Sequence, residues 1–160
     1  NLTNDDYSWR KPNRKYLPHY LPKLHSTSLG RIDFAIDTSG SINEKQFTQF
    51  IAEVHAVLRM LNPKEIGVYQ FDSVLQGSDV VKKATDLLKV PFSGGGGTNP
   101  QAALTEFEKN NAMGLIILTD GEFYTSMLKD PQRPVIWVVY NNPRFVAPFG
   151  TTVHFNLNEL

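Results

Sequence analysis

No cysteine occurs among the 160 residues of the chain. That excludes disulfides, thiolate zinc sites and cysteine nucleophiles, and it fits a reducing, cytoplasmic compartment. Neither sign of charge is in excess: the 16 Lys and Arg balance the 16 Asp and Glu. No bulk field therefore draws the chain to nucleic acid or to an anionic membrane. No apolar run approaches the roughly 20 residues of a membrane-spanning helix, and no secretory leader pattern is visible. The chain opens on Asn1 rather than Met and reads as a piece of a longer protein.

What is present is globular composition, with 41% hydrophobic and 20% charged residues, at a length suited to one core. Charge is nevertheless uneven. Residues 1–31 hold Arg10, Lys11, Arg14, Lys15, Lys23 and Arg31 against Asp5 and Asp6, a net of +4, and the remainder carries −4. Residues 1–30 lack periodicity and are rich in proline and aromatics, among them Tyr7, Trp9, Pro12, Tyr16, Pro18, Tyr20 and Pro22. They read as an extended N-terminal arm, followed by the domain proper at 31–160. Interleaved Trp9, Tyr16, Tyr20 and arginines suit stacking on single-stranded nucleic acid. Zero net charge argues against that reading and for an arm packed on the domain.

From Arg31 the pattern becomes regular. Residues 32–36 (IDFAI) suit a buried strand. Phe47, Phe50, Ile51, Val54, Leu58 and Leu61 recur at helical spacing and predict a helix over 43–61, ended by Asn62-Pro63. Residues 66–71 (IGVYQF) predict a second strand. Residues 74–89 fit helix or strand, and a short edge strand followed by a turn is the preferred assignment. A glycine-rich loop over 93–98 leads to a helix at 100–109 with Pro100 in its first position. Further strands are expected at 114–118, 135–140 and 152–157. Alternating elements with strands apolar along their whole length predict an α/β, doubly wound sheet. It should be mostly parallel, with helices on both faces and one antiparallel edge strand.

In such sheets ligands bind at the carboxyl ends of the strands, where strand order reverses. Three polar clusters fall at such places: Asp37-Thr38-Ser39-Gly40-Ser41, Gly94-Gly95-Gly96-Gly97-Thr98 and Thr119-Asp120-Gly121-Glu122. Their side chains are hard oxygen donors. Mg²⁺ takes about six oxygens, several of them water, so hydroxyls from two segments and two carboxylates match its chemistry. Each cluster also has an ordinary structural explanation. Ser41 with Glu44, Asn43 with Gln46, and Thr98 with Gln101 are spaced as helix capping boxes, and Asn99 before Pro100 is an alternative cap. Asp120-Gly121 is a common turn. Their occurrence in chain order at three strand ends favours a shared metal, and a hydroxyl can serve a metal while its backbone starts a helix.

DTSGS at 37–41, Thr98, and Asp120 in LTDGE resemble the metal ion-dependent adhesion site (MIDAS) of von Willebrand factor A (VWA) domains. The resemblance implies that Ser39, Ser41 and Thr98 coordinate directly, and that Asp37 and Asp120 bind directly or through water. It implies Mg²⁺, or Mn²⁺, in preference to Ca²⁺. A vacant coordination position would accept an Asp or Glu from a protein partner. YSWRKPNRKYL at 7–17, SGGGGTNP at 93–100, LTDGEF at 118–123, PVIWVVY at 134–140 and APFG at 147–150 are similar to one subfamily. Its members are bacterial and phage metallopeptidase-like proteins with a VWA-like C-terminal domain. In that family an HExxH-bearing half comes first. This chain has His19, His25, His55 and His154 but no HExxH, so the resemblance brings no peptidase activity to it. His55, on the first long helix, reads as structural. Related VWA proteins work with MoxR-type AAA+ ATPases, which makes such an ATPase an expected partner.

Rival readings exist. Asp37, Asp72, Asp120 and Glu122 could hold two metals in a nuclease or phosphatase. Against it, the loops carry hydroxyls where a two-metal site wants carboxylates. The second Asp of haloacid dehalogenase-type phosphatases is replaced by Ser39. Nucleotide binding by the glycine run is disfavoured, because SGGGGTNP lacks the lysine of a Walker loop. A VWA fold with a vestigial site is disfavoured because every motif position is filled. The expectation is a non-enzymatic, metal-dependent binding module.

Overall fold

The computed structural model describes residues 8–9, 30–38, 44–72, 75–81 and 98–155. Strands β1 (Ser8–Trp9), β2 (Arg31–Asp37), β3 (Glu65–Phe71), β4 (Leu75–Val81), β5 (Gly114–Thr119), β6 (Val135–Tyr140) and β7 (Thr151–Phe155) form one sheet. Helix α1 (Glu44–Leu61) lies between β2 and β3, and α2 (Gln101–Glu108) between β4 and β5. The sheet order is β1-β7-β6-β5-β2-β3-β4. All neighbouring pairs are parallel except β3–β4. This is the α/β architecture expected from the alternation of elements, with β4 as the antiparallel edge strand.

The strands are buried on both faces because both carry apolar side chains and both are covered. On one face, Ala35, Tyr69, Phe71, Leu115, Ile117, Val135, Trp137 and Val139 form a single cluster with Ala103, Leu104 and Phe107 of α2. The alternate residues, Ile32, Phe34, Ile36, Ile66, Val68, Ile116, Leu118, Ile136 and Val138, are equally buried and face the other way. The other described helix, α1, contributes buried Phe47 and Ile51. Trp137 is fully buried, and its indole N–H donates to the Phe149 carbonyl at 2.9 Å, so its polar end is satisfied within the core.

Helix α1 stops where the sequence says it must. Asn62 adopts a left-handed conformation (φ 50°), and Pro63 cannot continue the helix. Helix α2 departs from one expectation. The Thr98–Gln101 capping box does not form. Instead Asn99 Oδ1 accepts the Gln101 N–H at 3.2 Å, and the Asn99 carbonyl accepts Ala102 N–H at 3.1 Å. The Gln101 side chain turns away, donating to Thr105 Oγ1 and accepting from Lys129 N–H. Asn99 is the cap because Pro100, with φ −63° already helical, occupies the first turn behind it.

In the 74–89 segment the edge-strand assignment holds over Leu75–Val81. It fits the outermost position, where Asp79 and half-exposed Val80 meet solvent rather than another strand. Of the N-terminal arm, Ser8–Trp9 pair in parallel with His154 and Phe155 of β7, extending the sheet by one short strand. The rest of the arm, the glycine loop up to Gly97, and the Ser41–Glu44 and Asn43–Gln46 boxes lie wholly or partly outside the described residues. No helix among the described residues is long and apolar enough to cross a membrane.

Candidate metal centre

Strand order creates the site. From β2 the chain moves to β3 on one side and later returns to β5 on the other. Order therefore reverses between β2 and β5, the place where open α/β sheets bind ligands. Asp37 ends β2, Thr119 ends β5 and Asp120 follows it. Ile36 pairs with Leu118, so Asp37 and Thr119 stand level on adjacent strands. Both belong to the face covered by α2, since they lie two residues beyond Ala35 and Ile117 on their strands.

The two are bonded directly. Thr119 Oγ1 donates to Asp37 Oδ2 at 2.7 Å, and the same hydroxyl oxygen accepts the Gly121 N–H at 3.0 Å. Asp37 and Thr119 are both wholly buried. Asp120 is 8% exposed, and its Oδ1 accepts the Glu122 N–H at 3.0 Å. The turn reading of Asp120-Gly121 is thus correct for the backbone. Gly121 sits at φ 75°, and a side chain there would press on Phe145 and Asn142. Asn142 in turn donates to the Asp120 carbonyl at 2.9 Å, and Phe123 and Phe145 pack edge to face at 5.6 Å. The loop after β6 holds the loop after β5.

On the other side of Asp37, the β2–β3 pairing continues one residue further. Thr38 donates both its N–H and its hydroxyl to the Phe71 carbonyl, at 2.9 and 3.2 Å. The next carbonyl, that of Asp72, accepts Asn99 N–H at 2.6 Å. That bond ties the residue after Thr98 to the carboxyl end of β3. Asp37, Thr98 and Asp120 are therefore held by adjacent strand ends at one end of the sheet. Ser39 and Ser41 lie outside the described residues. Asp72 is buried at the same end, whereas Glu122 is exposed. No cluster of three or more His, Asp or Glu side chains with metal-site spacing exists among the described residues. Any cation here would have to rely on hydroxyl oxygens as well, which is the character of the sequence motif.

Another buried carboxylate belongs to a different network. Asp33 lies on the same face of β2, four residues or about 13 Å toward the amino end. Arg31 Nε donates to its Oδ1 at 2.7 Å and Asn110 Nδ2 to its Oδ2 at 2.8 Å. Asn110 Nδ2 also bonds the Tyr69 hydroxyl at 2.7 Å. Burial raises the Asp33 pKa above the ordinary value, against the lowering effect of the bonds from Arg31 and Asn110 and the charges of Arg31 and Arg133. Arg133 lies over the Phe107 ring, 3.9 Å from its centroid, and donates to the carbonyls of Phe107 in the last turn of α2 and of Asn110 and Ala112 beyond it. No local sequence signal marks Asp33, Asn110, Arg133 or Asn142. Thr119 was visible in its polar cluster, but nothing local says that its hydroxyl reaches Asp37.

His55 sits half-buried on α1. Its Nε2 is buried and has no hydrogen-bond partner.

Residues 32–156 match the model of a family described as VWA-like domain (DUF2201). An uncharacterized protein of Thermotoga maritima is 30% identical over 139 residues, which cover 85% of this chain and 33% of that protein. The chain thus spans about a third of the length of the relative it matches. With a family match across nearly all of the sheet and the reversal of strand order at β2, the chain belongs to the VWA-like domain family.

Proposed function

We propose that this domain is a metal-dependent protein-interaction module. Asp37, Ser39, Ser41, Thr98 and Asp120 would hold one divalent cation, and a partner's Asp or Glu would complete its coordination. The observation that carries the reading is the convergence of Asp37 and Asp120 on adjacent strand ends, with Thr98 anchored beside β3 through Asn99. A carboxylate as deeply buried as Asp37 is costly unless compensated. A cation bound beside it would offset that cost. Few charged donors would leave the cation electrophilic, which suits capture of an external carboxylate. Mg²⁺ is favoured, Mn²⁺ is an alternative, and Ca²⁺ is less suited to a small hydroxyl-rich ligand set.

Titration calorimetry with Mg²⁺, and electron paramagnetic resonance with Mn²⁺, test the assignment. Wild type should bind one ion and Asp37→Ala should lose it while remaining folded. Equal binding by the two proteins would defeat the assignment.

The wider setting follows the subfamily resemblance. The whole protein would be metallopeptidase-like, with this domain recruiting a partner such as a MoxR-type AAA+ ATPase in the cytoplasm. A pull-down with and without EDTA examines this, and capture that ignores the chelator would remove the cation as the bridge. Binding without catalysis is the reading proposed for this chain. Buried Asp72 at the same end gives the two-metal nuclease or phosphatase its one supporting observation. Exposed Glu122 weakens it, and a stoichiometry of two ions would revive it.

A further inference from the structure

We infer that Thr119 is a positioning residue that holds the Asp37 carboxylate in one orientation and thereby favours a small cation over a large one. The inference rests on the proposed metal reading and concerns how that site selects its ion.

A hydroxyl has one proton to donate. Thr119 Oγ1 accepts from the Gly121 N–H at 3.0 Å, so its lone pairs are engaged on that side and its proton is directed to Asp37 Oδ2 at 2.7 Å. Both Thr119 and Asp37 are fully buried. Water therefore does not compete for either bond. One hydroxyl links two segments that sequence reading treated as separate: the Asp37 carboxylate on β2 and the backbone of the Asp120-Gly121 turn after β5. The Asp37 carboxylate and the backbone next to Asp120 thus meet at the same oxygen atom.

Such a link matters more for one ion than for another. Mg²⁺ demands near-ideal octahedral geometry at about 2.0–2.1 Å, whereas Ca²⁺ accepts six to eight oxygens at 2.3–2.6 Å in flexible arrangements. Hydrogen bonds that orient metal ligands typically change metal affinity by about 10–100-fold when removed. Loss of the Thr119 bond at Asp37 should penalise the ion with the stricter geometry.

The test uses the full chain and three variants: Thr119→Val, which keeps the shape and removes the hydroxyl, Thr119→Ser, which keeps the hydroxyl, and Thr119→Ala. Mg²⁺ and Ca²⁺ affinities are measured by calorimetry, with folding checked by circular dichroism. Thr119→Val should bind Mg²⁺ about tenfold or more weakly, with a smaller loss for Ca²⁺. Thr119→Ser should restore both the Mg²⁺ affinity and the ratio between the ions. Should Thr119→Val fail to fold, Thr119→Ser against Thr119→Ala gives the same comparison. A folded variant without the hydroxyl whose Mg²⁺ affinity matches wild type overturns the inference. An equal fall for both ions also overturns it, because that marks a structural role only. Failure of wild type to bind either ion has a different meaning: it removes the metal reading itself, and this inference with it.

Discussion

Two buried aspartates on one strand have opposite surroundings. Asp33 and Asp37 share β2 and share a face, and both are fully shielded from solvent. At the amino end Asp33 is closed off within the protein by the Arg31 guanidinium and the Asn110 amide. At the carboxyl end Asp37 takes a neutral hydroxyl from Thr119, at the reversal of strand order. The difference is one of chemistry. A guanidinium brings an opposite charge to a carboxylate, while a hydroxyl orients it through a neutral hydrogen bond. The amino end therefore ties the turn after α2 to β2, and the carboxyl end ties β2 to β5.

The largest effect that would break this contrast comes from crowding the amino end. Gly67 pairs with Asp33, and a methyl group there would collide with the Asp33 carboxylate and the Arg31 guanidinium. Gly67→Ala should lower stability by about 2–3 kcal/mol, read from urea unfolding. It should leave the Mg²⁺ affinity of the folded protein near wild type. A large loss of metal affinity would mean that the two ends are coupled.

A pH series sharpens the same contrast with a smaller effect. Burial raises the Asp33 pKa above its ordinary value of 3.8, so the folded chain keeps this proton to higher pH than the unfolded chain does. By linkage, the Asp33 contribution to stability falls as pH rises from about 3.8 through the folded value, then levels off once both states are ionised. The stability of wild type minus that of Asp33→Asn should decline across that window. A difference independent of pH would show that Arg31 and Asn110 fully offset the burial.

The smallest effect concerns the cap that leaves Thr98 outside the helix. Asn99→Ala removes the acceptor of the Gln101 N–H and should cost about 1 kcal/mol, seen as a modest fall in Tm. A larger loss would mean that the Asn99 side chain has duties beyond capping.

Most of the fold was legible because local rules suffice for it. Apolar runs such as IDFAI and VIWVVY are strands in the structure, and Asn62-Pro63 ends α1 at Leu61. The candidate site was legible as three motifs at strand ends. The capping box at Thr98–Gln101 failed because two caps one residue apart compete, and Pro100 decides between them by its fixed φ. Asp33 was hidden for another reason. Inside IDFAI it looks like an interruption in an apolar strand, and only Arg31 and Asn110 explain its burial.

The sequence by itself determined the periods, the helix ends and the oxygen-rich segments, since each depends on neighbours within a few residues. Tertiary structure decided which segments meet. Thr119 reaches Asp37 across 82 residues and Asn110 reaches Asp33 across 77. Both contacts follow from β5 lying beside β2, with α2 packed over the same face. Strand order is a property of the whole sheet, settled by how all the apolar faces are buried together, and no local pattern encodes it.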